Sequence, residues 1–172
     1  MNDVERKKQE MEKKEFSIKV MYFNRYLIIR YLTAGFFFVH LNWLVLLLLT
    51  KSPAFWLPLV FLVFLLPVVG EQVALYRKHK NTTPLTGWYF KIQGVVNVLL
   101  VMSIFTPLYH SFFPFMANGE QGKALTLFVV VSGILICLFC QRRLSKIHTN
   151  EDRHYQRIKK YEQVVHYGKG SN

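Results

Sequence analysis

The stretch YLTAGFFFVHLNWLVLLLLT, residues 31–50, decides how the rest of the chain is read. It holds no Asp, Glu, Lys or Arg, and a transmembrane helix needs roughly 20 mostly apolar residues. Outward from it, residues 54–75, 88–109 and 124–140 read the same way, although the second carries Glu71 and Gln72 near its end and the fourth is short. Hydrocarbon leaves backbone groups no partner but the chain itself, so the spans are helices. The expected fold is all-α: a polytopic membrane protein with a four-helix transmembrane bundle over 31–140. Residues 1–30 and 141–172 flank it as basic tails. No internal repeat relates the first span to the third or the second to the fourth, and one bundle accounts for nearly the whole chain.

Charge orients the bundle. Of the 22 Lys and Arg, eight precede the first span (Arg6, Lys7, Lys8, Lys13, Lys14, Lys19, Arg25, Arg30) and eight follow the fourth (Arg142, Arg143, Lys146, Arg153, Arg157, Lys159, Lys160, Lys169). The connection between spans two and three, with the start of span three, holds Arg77, Lys78, Lys80 and Lys91, while the other two connections hold only Lys51 and Lys123. Short basic segments resist translocation, which places both termini in the cytoplasm. The net charge of +12 also suits nucleic-acid binding. Here the basic residues flank apolar spans, so the expected partner is the bilayer with its anionic inner-leaflet lipids, and not a nucleic acid. The first apolar run is too long for a signal h-region and follows thirty residues of charged sequence, which predicts a retained anchor.

The tails carry their own patterns. Glu10 and Lys14 stand four apart, as a supporting helical pair would. Val20 to Ile29 mixes aromatic and basic residues, which suits rings at the headgroups and guanidinium groups snorkelling outward. In the C-terminal tail, Thr149 or Asn150 followed by Glu151 and Asp152 predicts a helix start, and Gly168 a stop. Tyr155, Ile158, Tyr161 and Val165 then share one face, with Arg153, Arg157 and Lys160 beside it. That segment reads as a helix on the inner leaflet, as a docking helix for a cytoplasmic partner, or as a disordered tail.

Polar groups at membrane depth are the candidate functional residues. His40 and Asn42 are about 200° apart around a helix, so they cannot share a face. Gln93 and Asn97 stack on one face, and Ser132-Gly133 lies at a depth similar to that of His40 and Asn97. Two readings of a His40–Asn97–Ser132 cluster stand open: interhelical hydrogen bonds that hold the spans together, or the lining of a route. Glu71, the only acid in a span, is expected to pair with Lys91, with Arg30 as the alternative, either structurally or as a coupling carboxylate. Cys137 and Cys140 form a C-x-x-C, but at a helix C-terminus, where the dipole opposes thiolate formation, so they read as small apolar residues. The loop residues 112–116, FFPFM, are apolar enough to dip into the outer interface. Gly-rich phosphate loops, metal-spaced acids and a nucleophile beside a base are missing, so no enzyme, metal or cofactor is expected.

The run MYFNRYLIIRYL at 21–32, followed by Phe36-Phe37-Phe38 and Asn42-Trp43, resembles a group of small four-span membrane proteins of Gram-positive bacteria. Some of these are labelled as subunits of a cellobiose phosphotransferase system. The resemblance implies a bacterial plasma-membrane location and a link to sugar uptake, but the chain lacks the soluble bundle with a phosphorylatable histidine that a phosphoryl carrier needs. The expected role is a non-enzymatic accessory or scaffolding subunit that associates with itself or with a larger membrane protein; the alternative is a small oligomeric transporter or channel.

Overall fold

The computed structural model describes residues 3–77, 83–152, 154–160 and 163, and among them it contains helices and no strand. In chain order the helices are α1 (Asp3–Asn24), α2 (Leu27–Leu49), α3 (Trp56–Arg77), α4 (Pro84–Ile104), α5 (Tyr109–Phe112) and α6 (Glu120–His148). A 3-10 turn at Pro53–Phe55 leads into α3, and residues 154–160 are helical again. Four stretches are long and apolar enough to cross a membrane: Leu27–Leu49, Pro53–Ala74, Pro84–Ile104 and Glu120–His148.

The helix ends depart from the apolar limits read in the sequence. The third span begins at Pro84 because proline at the first helical position sacrifices an N–H that has no partner there anyway. It stops at Ile104 instead of Tyr109: the Phe105 N–H turns back to the Met102 carbonyl and the Thr106 N–H to that of Ser103, and Pro107 follows. The fourth helix runs well past Cys140 to His148, since apolarity marks where lipid ends and not where hydrogen bonding ends. Helices α2 and α6 both close with a left-handed residue that is not glycine, Lys51 (φ 51°) and Asn150 (φ 58°). At each, the next two N–H groups reach the carbonyls of the last turn: Lys51 to Leu48 and Ser52 to Leu47, Asn150 to Ile147 and Glu151 to Lys146.

One seam runs down each spanning helix. In α2 the buried side chains are Ile29, Thr33, Phe36, His40, Trp43 and Leu47. In α4 they include Thr86, Tyr89, Gln93, Asn97, Leu100 and Ile104, and in α6 Thr126, Val130, Cys137, Cys140 and Ile147. The steps are of three and four, or of their sum, seven, in α6, the spacing of left-handed helix bundles. The seam holds nearly all the polar side chains within the spans, while Phe38, Val63, Val95 and Phe128 stand exposed on the outside. That inverts the pattern of a water-soluble bundle, as a lipid solvent requires.

Both ends of the bundle are tied. At one end Ser52 Oγ donates to the Ser111 carbonyl at 2.5 Å and Trp43 Nε1 to that of Phe112 at 3.0 Å. Phe113 then stacks on Trp43 with centroids 5.7 Å apart. The apolar loop therefore folds onto the end of the bundle, with Phe113 buried and Phe115 and Met116 half-buried. Gly122 permits this closure: a Cβ there would lie 2.1 Å from the Ala117 carbonyl oxygen.

At the other end Arg25, expected to snorkel, is fully buried. Its Nε donates to both carboxylate oxygens of Asp152 at 2.9 Å, and Nη2 reaches the Ile147 carbonyl and Asn150 Oδ1 at 3.0 Å. The guanidinium sits 4.8 Å from the Tyr155 ring centroid. Asp152 Oδ2 also accepts the Tyr155 N–H at 3.2 Å, so Asp152, not Thr149 or Asn150, starts the tail helix. That helix is pinned under the bundle through buried Ile158; Arg153, Tyr161, Val165 and Gly168 lie outside the described residues. In α1, among the described residues, Glu10 pairs with Arg6 at 3.9 Å and not with Lys14.

Burial raises the proton affinity of the Asp152 carboxyl, but hydrogen bonds and the charge of Arg25 outweigh it and hold it below the usual carboxylate range. A depressed folded value means the stabilisation is complete above the ordinary carboxylate pKa, about 3.9, and is lost as pH falls through the folded value. Thermal unfolding in detergent should therefore be flat from neutral pH until well into acid. Asp152→Ala should destabilise by about 3 kcal/mol and speed amide exchange at residues 145–160.

Candidate functional site

Mid-bundle, a chain of polar side chains crosses from α2 to α4. His40 Nε2 meets Gln93 Oε1 at 3.0 Å, and Gln93 Nε2 donates to Asn97 Oδ1 at 3.0 Å. All three side chains are buried. An amide oxygen only accepts, so His40 carries its proton on Nε2 and leaves Nδ1 bare; Nδ1 is buried without a partner. The imidazole is held flat against Phe61, centroids 5.0 Å apart and planes 5° apart, with Trp43 at 6.2 Å. Amides neither take up nor release protons near neutral pH, so the chain acts as a hydrogen-bonded strut and not a proton wire.

Of the residues expected here, His40 and Asn97 come together, but through Gln93 and not directly. Ser132 stays outside: its Oγ donates to the Phe128 carbonyl of its own helix at 2.8 Å. A lone hydroxyl in lipid does better on the preceding turn than across a gap. Its neighbour Gly133 contributes instead, because a Cβ there would fall 2.7 Å from Asn97 Nδ2. Asn42 likewise bonds back to the Phe38 carbonyl at 2.8 Å and faces outward. Beside the strut lies a recess of about 360 Å³, lined by Val39, Trp43, Leu100, Met116 and Val130 among others.

Nearer the Arg25 end, Glu71 does not pair with Lys91. Its Oε1 accepts the Leu85 N–H at 3.0 Å; its Oε2 accepts the Thr86 N–H at 2.8 Å and the Thr86 hydroxyl at 2.7 Å. A carboxylate from α3 thus caps α4, where unpaired N–H groups and the positive helix end favour an anion; Thr83, the residue at the cap, makes no side-chain bond. Gln72 completes the layer, donating to Thr33 Oγ1 at 2.9 Å. Lys91 is exposed, 5.5 Å from the Trp88 ring centroid. Arg30 donates to the Gln72 carbonyl at 2.9 Å and also leaves Glu71 alone.

Cys137 and Cys140 are free thiols on the buried seam, Cys137 beside Gly94. Among the described residues no three His, Cys, Asp or Glu gather as metal ligands would. The sequence reading missed the Glu71–Thr86–Gln72–Thr33 layer and the Arg25–Asp152 tie. Pro84 was a usable signal for the first, since a helix starting there puts Thr86 at the capped position. The second spans 127 residues of chain and left no local trace.

Gln93→Leu strands His40 Nε2 and Asn97 Oδ1 together and should destabilise the bundle in detergent by about 1–3 kcal/mol, counting both bonds. Ser132→Ala should leave the unfolding midpoint unchanged. Equal effects from the two would remove the strut as a structural element.

No family model, curated protein or solved structure matches this chain.

Proposed function

We propose that this chain is a non-enzymatic accessory or scaffolding subunit of a bacterial plasma-membrane complex, with both termini in the cytoplasm. The observation that carries this reading is the apolar packing above and below the polar strut. The polar strut lies between two packed apolar layers, Phe36, Phe61, Tyr89 and Phe90 on one side and Trp43, Leu47, Leu100 and Val130 on the other. A solute would have to displace one of them. The second support is α1, a 22-residue helix of mixed charge whose described side chains before residue 17 are exposed. Such a helix offers a surface to another protein more readily than to lipid. The lopsided distribution of Lys and Arg favours the α1 and tail end as cytoplasmic.

The alternative, an oligomeric transporter with Glu71 and the His40–Asn97 level lining the route, draws on the recess beside His40, which opens towards the outside of a single bundle. Copies packed around that face would bring the recesses together.

Purification in mild detergent with mass spectrometry of the co-purifying chains separates the two. A second membrane protein at fixed stoichiometry, lost when residues 3–20 are deleted, is the expected result. A pure homo-oligomer that passes solute in liposomes would defeat the accessory reading. For topology, a cysteine at Asn118 should label on intact cells and one at Gln9 only after permeabilisation; Cys137 and Cys140 are buried and give no background.

A further inference from the structure

Lys91 is a cation without an acid. It is the eighth residue of α4, about 10 Å along the helix from Pro84, and so lies within a spanning segment. Among the described residues it forms no ion pair, and Glu71 is fully engaged at the start of α4. Its side chain is exposed, with Nζ beside Trp88. An ammonium standing open at the rim of hydrocarbon is met by whatever anion the membrane brings to it.

The register of α4 against α6 shows what surrounds it. The two helices run antiparallel: Gln141 Nε2 donates to the Phe90 carbonyl at 3.1 Å, and Gly133 faces Asn97. Lys91 is therefore level with Gln141, and His148, seven residues further along α6, is level with Pro84. Side chains lean towards the N-terminus of their own helix, so Lys91 reaches back towards Pro84 while His148 reaches towards Gln141. Both border a recess of about 410 Å³, with Gly87 and Trp88 on the α4 side and Ser145 on the α6 side. Lys91, Ser145 and His148 are exposed, and among the described residues no Asp or Glu lines the recess. Along the Lys91 face of α4 stand Val95, Val98 and Met102, exposed and apolar over roughly 16 Å.

We propose that this recess seats the headgroup of an anionic phospholipid, its phosphate on Lys91 Nζ, the rest of the headgroup against Ser145 and His148, and an acyl chain along Val95, Val98 and Met102. Hydrogen-bond donors with no acid among them select an anion. The apolar stripe that begins at the cation selects an anion carrying a chain. A zwitterionic headgroup would press its own ammonium on Lys91, whereas an anionic one brings the phosphate alone. The site lies on the outside of α4 and α6, apart from the His40 strut, and does not depend on the accessory role. Failure of either reading leaves the other standing.

Native mass spectrometry of the full chain from nanodiscs of phosphatidylglycerol and phosphatidylcholine tests it. The expected result is one retained phosphatidylglycerol per chain, little phosphatidylcholine, and no displacement by excess glycerol 3-phosphate. Lys91→Gln should cut retention roughly tenfold. So should Gly87→Phe, which fills the recess and keeps the charge; a Cβ at Gly87 meets nothing within 4 Å, so the helix accepts it. Lys13→Gln with Lys14→Gln, both exposed on α1, should leave retention unchanged although it removes twice the charge. Retention of both lipids alike, no retained lipid, or full retention in Lys91→Gln or Gly87→Phe would overturn the site. Displacement by glycerol 3-phosphate would do so by showing a site for a soluble anion. Loss in the Lys13/Lys14 variant equal to that in Lys91→Gln would do so too, by showing diffuse attraction to the basic tails.

Discussion

Hydrocarbon forms no hydrogen bonds, and each amide, hydroxyl and charge carried past the headgroups has to be met from within the chain or by lipid. The molecule meets this demand at three scales. The backbone closes on itself as four spanning helices. Lone hydroxyls and amides on the outside, such as Ser132 and Asn42, fall back on the carbonyl one turn earlier. Groups with several donors or acceptors sit on the seams: a neighbouring helix meets Gln72 and Gln93, and Gln93 in turn meets Asn97 of its own helix. Polarity is thereby gathered into the interior while the lipid face stays apolar.

The same demand explains the two carboxylates that matter. Glu71 reaches across from α3 to the bare N–H groups at the start of α4, where the helix end itself supplies the positive field. Asp152 answers Arg25, the most buried cation in the bundle's base. Each ties one element to another: α3 to α4, and the entry of α2 to the tail behind α6. Neither is a free acid awaiting a substrate. The opposite end is held differently, by Trp43 on Phe113 and by hydroxyl and indole donors to loop carbonyls, so each end of the bundle is closed by tertiary contacts while its middle is joined by the amide strut. The spanning helices are thus joined at both ends and in the middle, and the charged helix α1 extends from them.

The residues themselves show how much was readable beforehand. Four apolar runs announced four spanning helices, because burial in lipid depends on composition over about twenty residues and hardly on partners. Helical spacing also separated His40 from Asn42 and stacked Gln93 on Asn97, since the turn angle is a property of one helix. Equal depth was a weaker guide. It placed Ser132 beside Asn97, but depth says nothing of rotation, and the side chain that reaches Asn97 from α6 turned out to be the hydrogen of Gly133. Equal depth misled for Glu71 as well: Lys91 was at a suitable level, yet two backbone N–H groups and a hydroxyl at a helix start offered a better site than a cation that lies beside Trp88 instead.

Composition over about twenty residues in this chain was enough to establish its solvent and its helices, for those follow from local geometry and from what lipid tolerates. Which polar group meets which was decided only when the helices took their rotations and the ends folded over. Arg25 and Asp152 are 127 positions apart, and a hydrogen bond is settled by a few ångströms and an angle that no stretch of sequence contains.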